Sequence, residues 1–200
     1  MWLGAAAIAL GLAGTAFGQK HEVGLTMGTL TPRSRDLSGV KVESGSGTAL
    51  QANYGVRLMG GDRAALYLET HFLASPQRKV TSTAGAASTD YASLYLTPGA
   101  RIRFAPKARV SPWVTVGAGY AQYENSERNT AGGPNSAPRH EHHGAFAFGG
   151  GVDVRTLRWL SLRAEIRDFY GRGPDYGVST GPAKQHNVVI GGGLVLRFGK

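Results

Sequence analysis

From Val188 to Phe198 the chain alternates: Val188, Ile190, Leu194, Leu196 and Phe198 fall on one face, and Asn187, Gly191, Gly193 and Arg197 on the other. Successive side chains of an extended strand point to opposite sides, so this segment has one greasy side and one polar side. Segments at 21–29, 48–59, 64–73, 91–104, 113–124, 144–155 and 160–170 repeat the pattern. The outward set of the fourth is Leu94, Leu96, Pro98, Ala100, Ile102 and Phe104, and that of the seventh is Leu160, Leu162, Ala164 and Ile166. A soluble sheet also alternates, but one such strand after another, apolar outside and charged inside, predicts strands with lipid on one side and a polar lumen on the other. The expected fold is all-β: a closed, antiparallel, eight-stranded, up-and-down transmembrane β-barrel.

The connections sort by length. Segments 30–47, 74–90, 125–143 and 171–186 are long and polar, whereas 60–63, 105–112 and 156–159 are short. Outer-membrane barrels carry long extracellular loops and short periplasmic turns, so both termini are expected on the periplasmic side. Trp113 and Trp159 adjoin short turns and are read as headgroup-level anchors there, with Tyr120, Tyr123 and Tyr170 marking the opposite rim. Pro98 sits inside a strand and cannot donate to the ladder, which predicts a bulge near Pro98-Gly99.

Residues 1–18 are apolar and uncharged and end in Ala16-Phe17-Gly18, the pattern of a secretory signal peptide with cleavage near Gly18. A retained helix is the competing reading, although no Lys or Arg precedes the run and its length is marginal for a span. Residues 19–200 are then the single barrel domain. The chain has no cysteine, which is compatible with passage through a periplasm without requiring it. Its net charge of +9 raises nucleic acid as a partner. That excess, however, is spread over loops, turns and inward faces, with no groove of bases interleaved with aromatics. No nucleic-acid partner is expected.

The chain after residue 18 resembles the small eight-stranded outer-membrane barrels of the OmpA, OmpX and OmpW kind. Its ending Leu194-Val195-Leu196-Arg197-Phe198 is similar to their aromatic-terminated last strand, in which Leu194, Leu196 and Phe198 would be the assembly signal. The resemblance implies export through the periplasm, contact with the barrel-assembly machinery and residence in the outer membrane as a monomer among lipid and lipopolysaccharide. It implies no cofactor, and a structural or surface-interaction role in the envelope. A narrow pore or small hydrophobic-ligand channel is the alternative, and a lipid-modifying enzyme a more distant one.

The inward positions hold the chemistry: Glu22, Glu69, Asp153 and Glu165 among Arg57, Arg101, Arg103, Arg155, Arg163, Arg167 and Arg197. An eight-stranded barrel is only wide enough for side chains to fill, and an isolated buried ion costs several kcal/mol, so these groups must pair. Glu22 is expected to meet Arg197 across the closing strands, and Asp153 to meet Arg163 across the 156–159 turn. Such a network either plugs the barrel or gates a narrow water path, and the plug is the expectation.

His140-Glu141-His142-His143, placed at the end of the third long loop, is a candidate metal cluster, although adjacent ligands on a loop seldom reach the geometry a metal needs. No metal site is assigned. For catalysis the combinations to be had are His71, Glu69 and Ser75, or His186 with Ser179. Neither matches a known barrel-enzyme motif, and no catalytic residue is assigned. Arg33, Arg35, Arg78 and Lys79 are candidates to meet outer-leaflet phosphates from the loops.

Overall fold

The computed structural model describes residues 21–32, 35–37, 40–82, 87–177 and 184–199. The proposed signal peptide, Arg33 and Ser179 lie outside these. Among the described residues ten strands form in chain order: β1 (His21–Pro32), β2 (Arg35–Leu37), β3 (Val40–Ser44), β4 (Gly47–Gly60), β5 (Ala64–Ser82), β6 (Asp90–Phe104), β7 (Val110–Asn125), β8 (His140–Arg155), β9 (Leu160–Arg172) and β10 (Lys184–Phe198). Eight of them close a wall in which each pairs antiparallel with its sequence neighbour, and β1 meets β10 from His21↔Phe198 to Pro32↔Asn187. Closure leaves no unpaired edge in the wall, as a strand crossing hydrocarbon requires.

The two remaining strands form a small hairpin. β3 pairs with the far end of β5 at Val42↔Ser82, so β5 rises beyond the wall and carries the hairpin with it. Residues 74–82 and 140–143, read from sequence as loop, are therefore strand. Their apolar content is too low for lipid, but the ladder continues into water wherever both neighbours extend.

The bulge expected at Pro98 does not form. β6 keeps one register with β7 on both sides of the proline, Leu96↔Tyr120 and Gly99↔Gly117, and Pro98 still stands opposite Thr70 of β5. The ladder to β7 simply skips residues 97 and 98, and glycines at 99, 117 and 119 let the two backbones lie close. Register breaks occur instead at Arg57/Met59 and, next to Pro76, at Ser75/Arg78. A proline without a donor is tolerated at a bulge, and the second break has a consequence for charge. An extra residue flips every later side chain to the other face. Arg78 consequently points inward and is buried, donating to Asn187 Oδ1 and Ser93 Oγ, while Lys79 is exposed opposite Asp90.

The apolar faces are outside. Leu25, Met27, Leu68, Ile102, Val114, Phe148, Leu162, Ile166, Ile190 and Leu194 are all exposed on the wall, where hydrocarbon replaces a protein core. Trp159 is exposed beside its short turn, and Tyr120 on the opposite rim. Trp113 and Tyr123 differ from the expectation: both are buried in the lumen, because they share odd-numbered, inward positions of β7 with Ser111 and Ala121. Proximity to a turn did not outweigh the two-residue period.

Candidate functional site: the filled lumen and the loop crown

The inward residues of the half nearest the short turns form one alternating chain of acids and bases. Glu165 accepts from Arg167 Nε at 3.1 Å, and Arg167 Nη2 donates to Glu69 Oε1 at 2.7 Å. Glu69 Oε2 lies 2.9 Å from Arg101 Nε, and Arg101 Nη2 donates to Glu22 Oε2 at 2.6 Å. Glu22 also accepts both terminal nitrogens of Arg103 and the Arg197 Nε, the last at 2.9 Å. Arg103 Nη2 then donates to Asp153 Oδ2 at 2.5 Å. Arg163 closes on Asp153 with its Nε at 2.8 Å and Nη2 at 3.0 Å, and Arg197 Nη2 reaches the same carboxylate at 3.3 Å. Glu22 thus meets Arg197, and Asp153 meets Arg163.

Two of the inward candidates stay out of the chain. Arg57 donates to the Gly60 carbonyl at 2.9 Å, and Arg155 to the carbonyls of Lys107 and Pro106. Both lie at the short-turn rim, where backbone carbonyls and water are nearer than a buried carboxylate.

Several members were not assigned to the lumen from sequence. Trp113 Nε1 donates to Asp153 Oδ1 at 3.2 Å, and its ring sits under the guanidinium groups of Arg163, Arg167 and Arg101 at 4.7, 5.2 and 5.7 Å. Tyr67 does the same for Arg101 and Arg103 at 4.7 and 4.9 Å and receives a hydrogen bond from Arg103. Thr26, Gln51 and Asn53 satisfy remaining carboxylate lone pairs of Glu165 and Glu69. The available signal was parity: Thr26, Gln51, Asn53 and Tyr67 each share a strand face with a charged residue, and Trp113 lies on the inward face of β7. Gly55 makes room for the chain: a Cβ there would lie 2.9 Å from Arg101 Nη2.

Towards the long loops the lumen changes character. Leu30, Leu73, Val80, Tyr91, Tyr95, Tyr123, Phe169, Tyr176 and Val189 form one buried cluster. Tyr95 lies 4.8 Å from Phe169 and edge-on to Tyr123 at 6.0 Å, with their hydroxyls 3.0 Å apart. Charged and aromatic halves are stacked end to end. Trp113, Arg101, Arg103, Tyr91 and Tyr95 each have 1 % or less of their surface exposed, so side chains fill the bore at both levels.

His71 lies at the seam, buried and tilted against Phe169 at 5.7 Å. Among the described residues neither of its ring nitrogens has a hydrogen-bond partner, and neither has Ser75 Oγ, while Glu69 is held by two arginines. The three candidate catalytic residues therefore share a wall without forming a nucleophile and base pair. His186 Nδ1 lies 2.6 Å from Asp168 Oδ2 on the outer wall.

The His140–His143 run is the start of β8, not loop, and its side chains alternate across the wall. Glu141 and His143 face inward, 3.0 Å apart, whereas His142 faces outward against Tyr120, to whose hydroxyl its Nδ1 is hydrogen-bonded. Four adjacent strand residues cannot converge on one ion, and no cluster of three or more potential metal ligands occurs among the described residues. Glu141 has a structural partner instead, accepting from Asn125 Nδ2 at 3.2 Å and from the Asp175 amide at 2.8 Å.

That carboxylate belongs to an interlocked crown. The Ser88 amide donates to the Tyr176 carbonyl at 2.9 Å. Asn135 Nδ2 donates to Ser88 Oγ and the Ser126 carbonyl at 2.7 and 2.8 Å, and Ser136 Oγ to the Gly177 carbonyl at 3.2 Å. Segments 87–89, 126–139 and 173–177 are thereby tied together. Between two of them lies an open groove of about 670 Å³, lined by Asp90, Ser126, Glu127, Arg128, Asn129 and Arg139 among others.

The fold is similar to that of Neisserial surface protein A, with a TM-score of 0.57, 13 % identity, and 90 % of this chain and 97 % of that one covered. It is also similar to the outer membrane protein OprG from Pseudomonas aeruginosa, with a TM-score of 0.58, 15 % identity, and 90 % and 96 % covered. No curated protein sequence matches the chain. The sequence profile of the outer membrane protein β-barrel domain matches residues 3–198. With that match extending over nearly all of its length, and with a closed antiparallel wall of eight strands, this chain belongs to the outer membrane protein β-barrel domain family.

Proposed function

We propose that this protein is a closed, non-conducting barrel of the outer membrane that works through its extracellular crown, in a structural or surface-interaction role. The observation that carries this reading is the filled bore, with a continuous acid–base chain in one half and a packed aromatic cluster in the other. A molecule crossing the lumen would have to break buried ion pairs, each costly to leave half-made. Function then falls to what a rigid scaffold displays. The crown is held in one arrangement by cross-loop hydrogen bonds and offers a polar groove, so binding there loses little loop entropy.

Planar-bilayer recording on the purified protein tests the closed bore. No conductance steps are expected from the wild type, Glu165→Ala or Arg163→Ala, and steps in the wild type would overturn the reading. The crown is tested separately by placing a photo-crosslinking residue at Thr130 on intact cells. Adducts at Thr130, absent when the same residue replaces Arg158 at the opposite end, are expected.

A passage for small hydrophobic ligands is the second reading. It is favoured by a depression of about 150 Å³ where β5 breaks register, lined by Ala74, Ser75, Pro76, Ala92, Ser93, Leu94, Gln122 and Glu124 and adjoining the aromatic half of the lumen. Uptake of an apolar fluorophore by liposomes, abolished by Ala92→Trp, would support it against the closed barrel.

A further inference from the structure

The upper rim of the lipid-facing wall is chemically lopsided. Lys184 and Arg172 are direct cross-strand partners on β10 and β9. Both lie on even-numbered, outward positions, continuing the lines Ile190–Val188–His186 and Ile166–Asp168–Tyr170, and both are exposed. Tyr170 stands one outward position below Arg172, with Lys184 Nζ 5.5 Å from its ring centroid and the His186 ring 4.6 Å away. An outward tyrosine above an apolar band marks the headgroup level of the outer leaflet. The two cations therefore stand just above the hydrocarbon, facing lipid and not the bore.

Three other described cations of this rim stand beside acids or face the lumen. Arg139 is paired with Glu124 and Glu127, Lys79 stands opposite Asp90, and Arg78 has been turned into the lumen by the Ser75/Arg78 register break. Asp168, the outward acid of β9, is bonded to His186. Among the described residues no carboxylate forms an ion pair with Lys184 or Arg172. Two adjacent, uncompensated cations beside an aromatic ring, at the depth of the lipid phosphates, match a diphosphorylated glycolipid in charge and position.

We propose that the Arg172–Lys184 pair, with Tyr170 beneath it, is a docking site on the β9–β10 wall for a lipid A phosphate of outer-leaflet lipopolysaccharide. The site lies on the outer wall and does not depend on the crown or on the closed bore, and it names residues for the lipopolysaccharide contact expected of the chain. Arginine supplies a planar fork to the phosphate oxygens, lysine a point charge, and tyrosine a flat surface for the sugar or the first acyl carbons.

The test is native mass spectrometry of the purified barrel in detergent, titrated with bisphosphorylated lipid A and with the same lipid enzymatically dephosphorylated. Folding of each variant is checked by heat-modifiable migration. The wild type is expected to hold bisphosphorylated lipid A about tenfold more tightly than Arg172→Gln/Lys184→Gln. Arg63→Gln/Arg158→Gln at the opposite rim should match the wild type, and dephosphorylated lipid A should bind wild type and double variant alike. Equal retention of the phosphorylated lipid by wild type and Arg172→Gln/Lys184→Gln would overturn the site. So would undiminished wild-type binding of the dephosphorylated lipid.

Discussion

Trp113 holds Arg163 in two ways: the guanidinium lies 4.7 Å from the indole centroid, and both side chains donate to Asp153 Oδ1. The ring is a platform that holds the buried cation against its carboxylate. Trp113→Ala removes the platform and leaves a void, a change that costs about 3–5 kcal/mol in well-packed cores. Trp113→Phe keeps a π face and loses one hydrogen bond, for a cost of about 1 kcal/mol. Urea unfolding in detergent micelles, followed by the gel shift of the heat-modifiable band, is expected to rank them in that order.

The two tryptophans of the barrel differ in what surrounds them, since Trp113 is buried and Trp159 is 54 % exposed at the wall. In vesicles containing brominated lipid, with the protein expressed without residues 1–18 and hence without Trp2, fluorescence of Trp113→Phe, which reports Trp159, is expected to be strongly quenched. Trp159→Phe, which reports Trp113, should be quenched weakly. Equal quenching would place Trp113 at the headgroups after all.

Asp153 accepts from Trp113, Arg103, Arg163 and Arg197, so Asp153→Ala strands several buried donors at once. Removing one partner of a buried pair costs about 3–5 kcal/mol, mostly from the charge left behind. Arg197→Ala should cost less, because its side chain retains 16 % exposure and water can reach it. Chemical denaturation of both variants measures the difference, and a larger loss from Arg197→Ala would refute the account of the network.

Close backbone approach next to Pro98 makes Gly119 sensitive. A Cβ there would stand 2.0 Å from the Leu96 carbonyl oxygen, a position no side chain occupies without moving β6 away from β7. Gly119→Ala is expected to lower the yield of the compact, heat-modifiable form. Gly61→Ala, in a turn where an added Cβ meets nothing within 4 Å, should leave it unchanged.

Zinc provides a separate check on β8. Because His142 and His143 point to opposite faces of the wall, isothermal titration is expected to show no zinc uptake that His142→Ala abolishes. A stoichiometric signal lost in that variant would mean that the start of β8 is not strand.

Alternation along the chain was enough to settle the class of fold, the number of strands in the wall and which faces meet lipid, but not the β2–β3 hairpin above it. A period of two leaves a side chain no choice of side once its neighbours are assigned, and charge cannot face hydrocarbon. For the same reason the acids and arginines of the lumen were legible as a set, and Glu22 with Arg197 as neighbours, since a closed wall must join its first strand to its last. What alternation does not contain is register and its breaks. The register breaks lie at Arg57/Met59 and Ser75/Arg78 and not at Pro98, and the second alone turned Arg78 from the outer leaflet into the bore. Nor does it order residues across the lumen: the path from Glu165 to Arg163 crosses several strands, and Trp113 and Tyr67 join it through distances that only the closed barrel brings within reach. Strand faces follow from local geometry and solvent, whereas partners inside the lumen follow from shear and packing. Those are properties of the assembled wall.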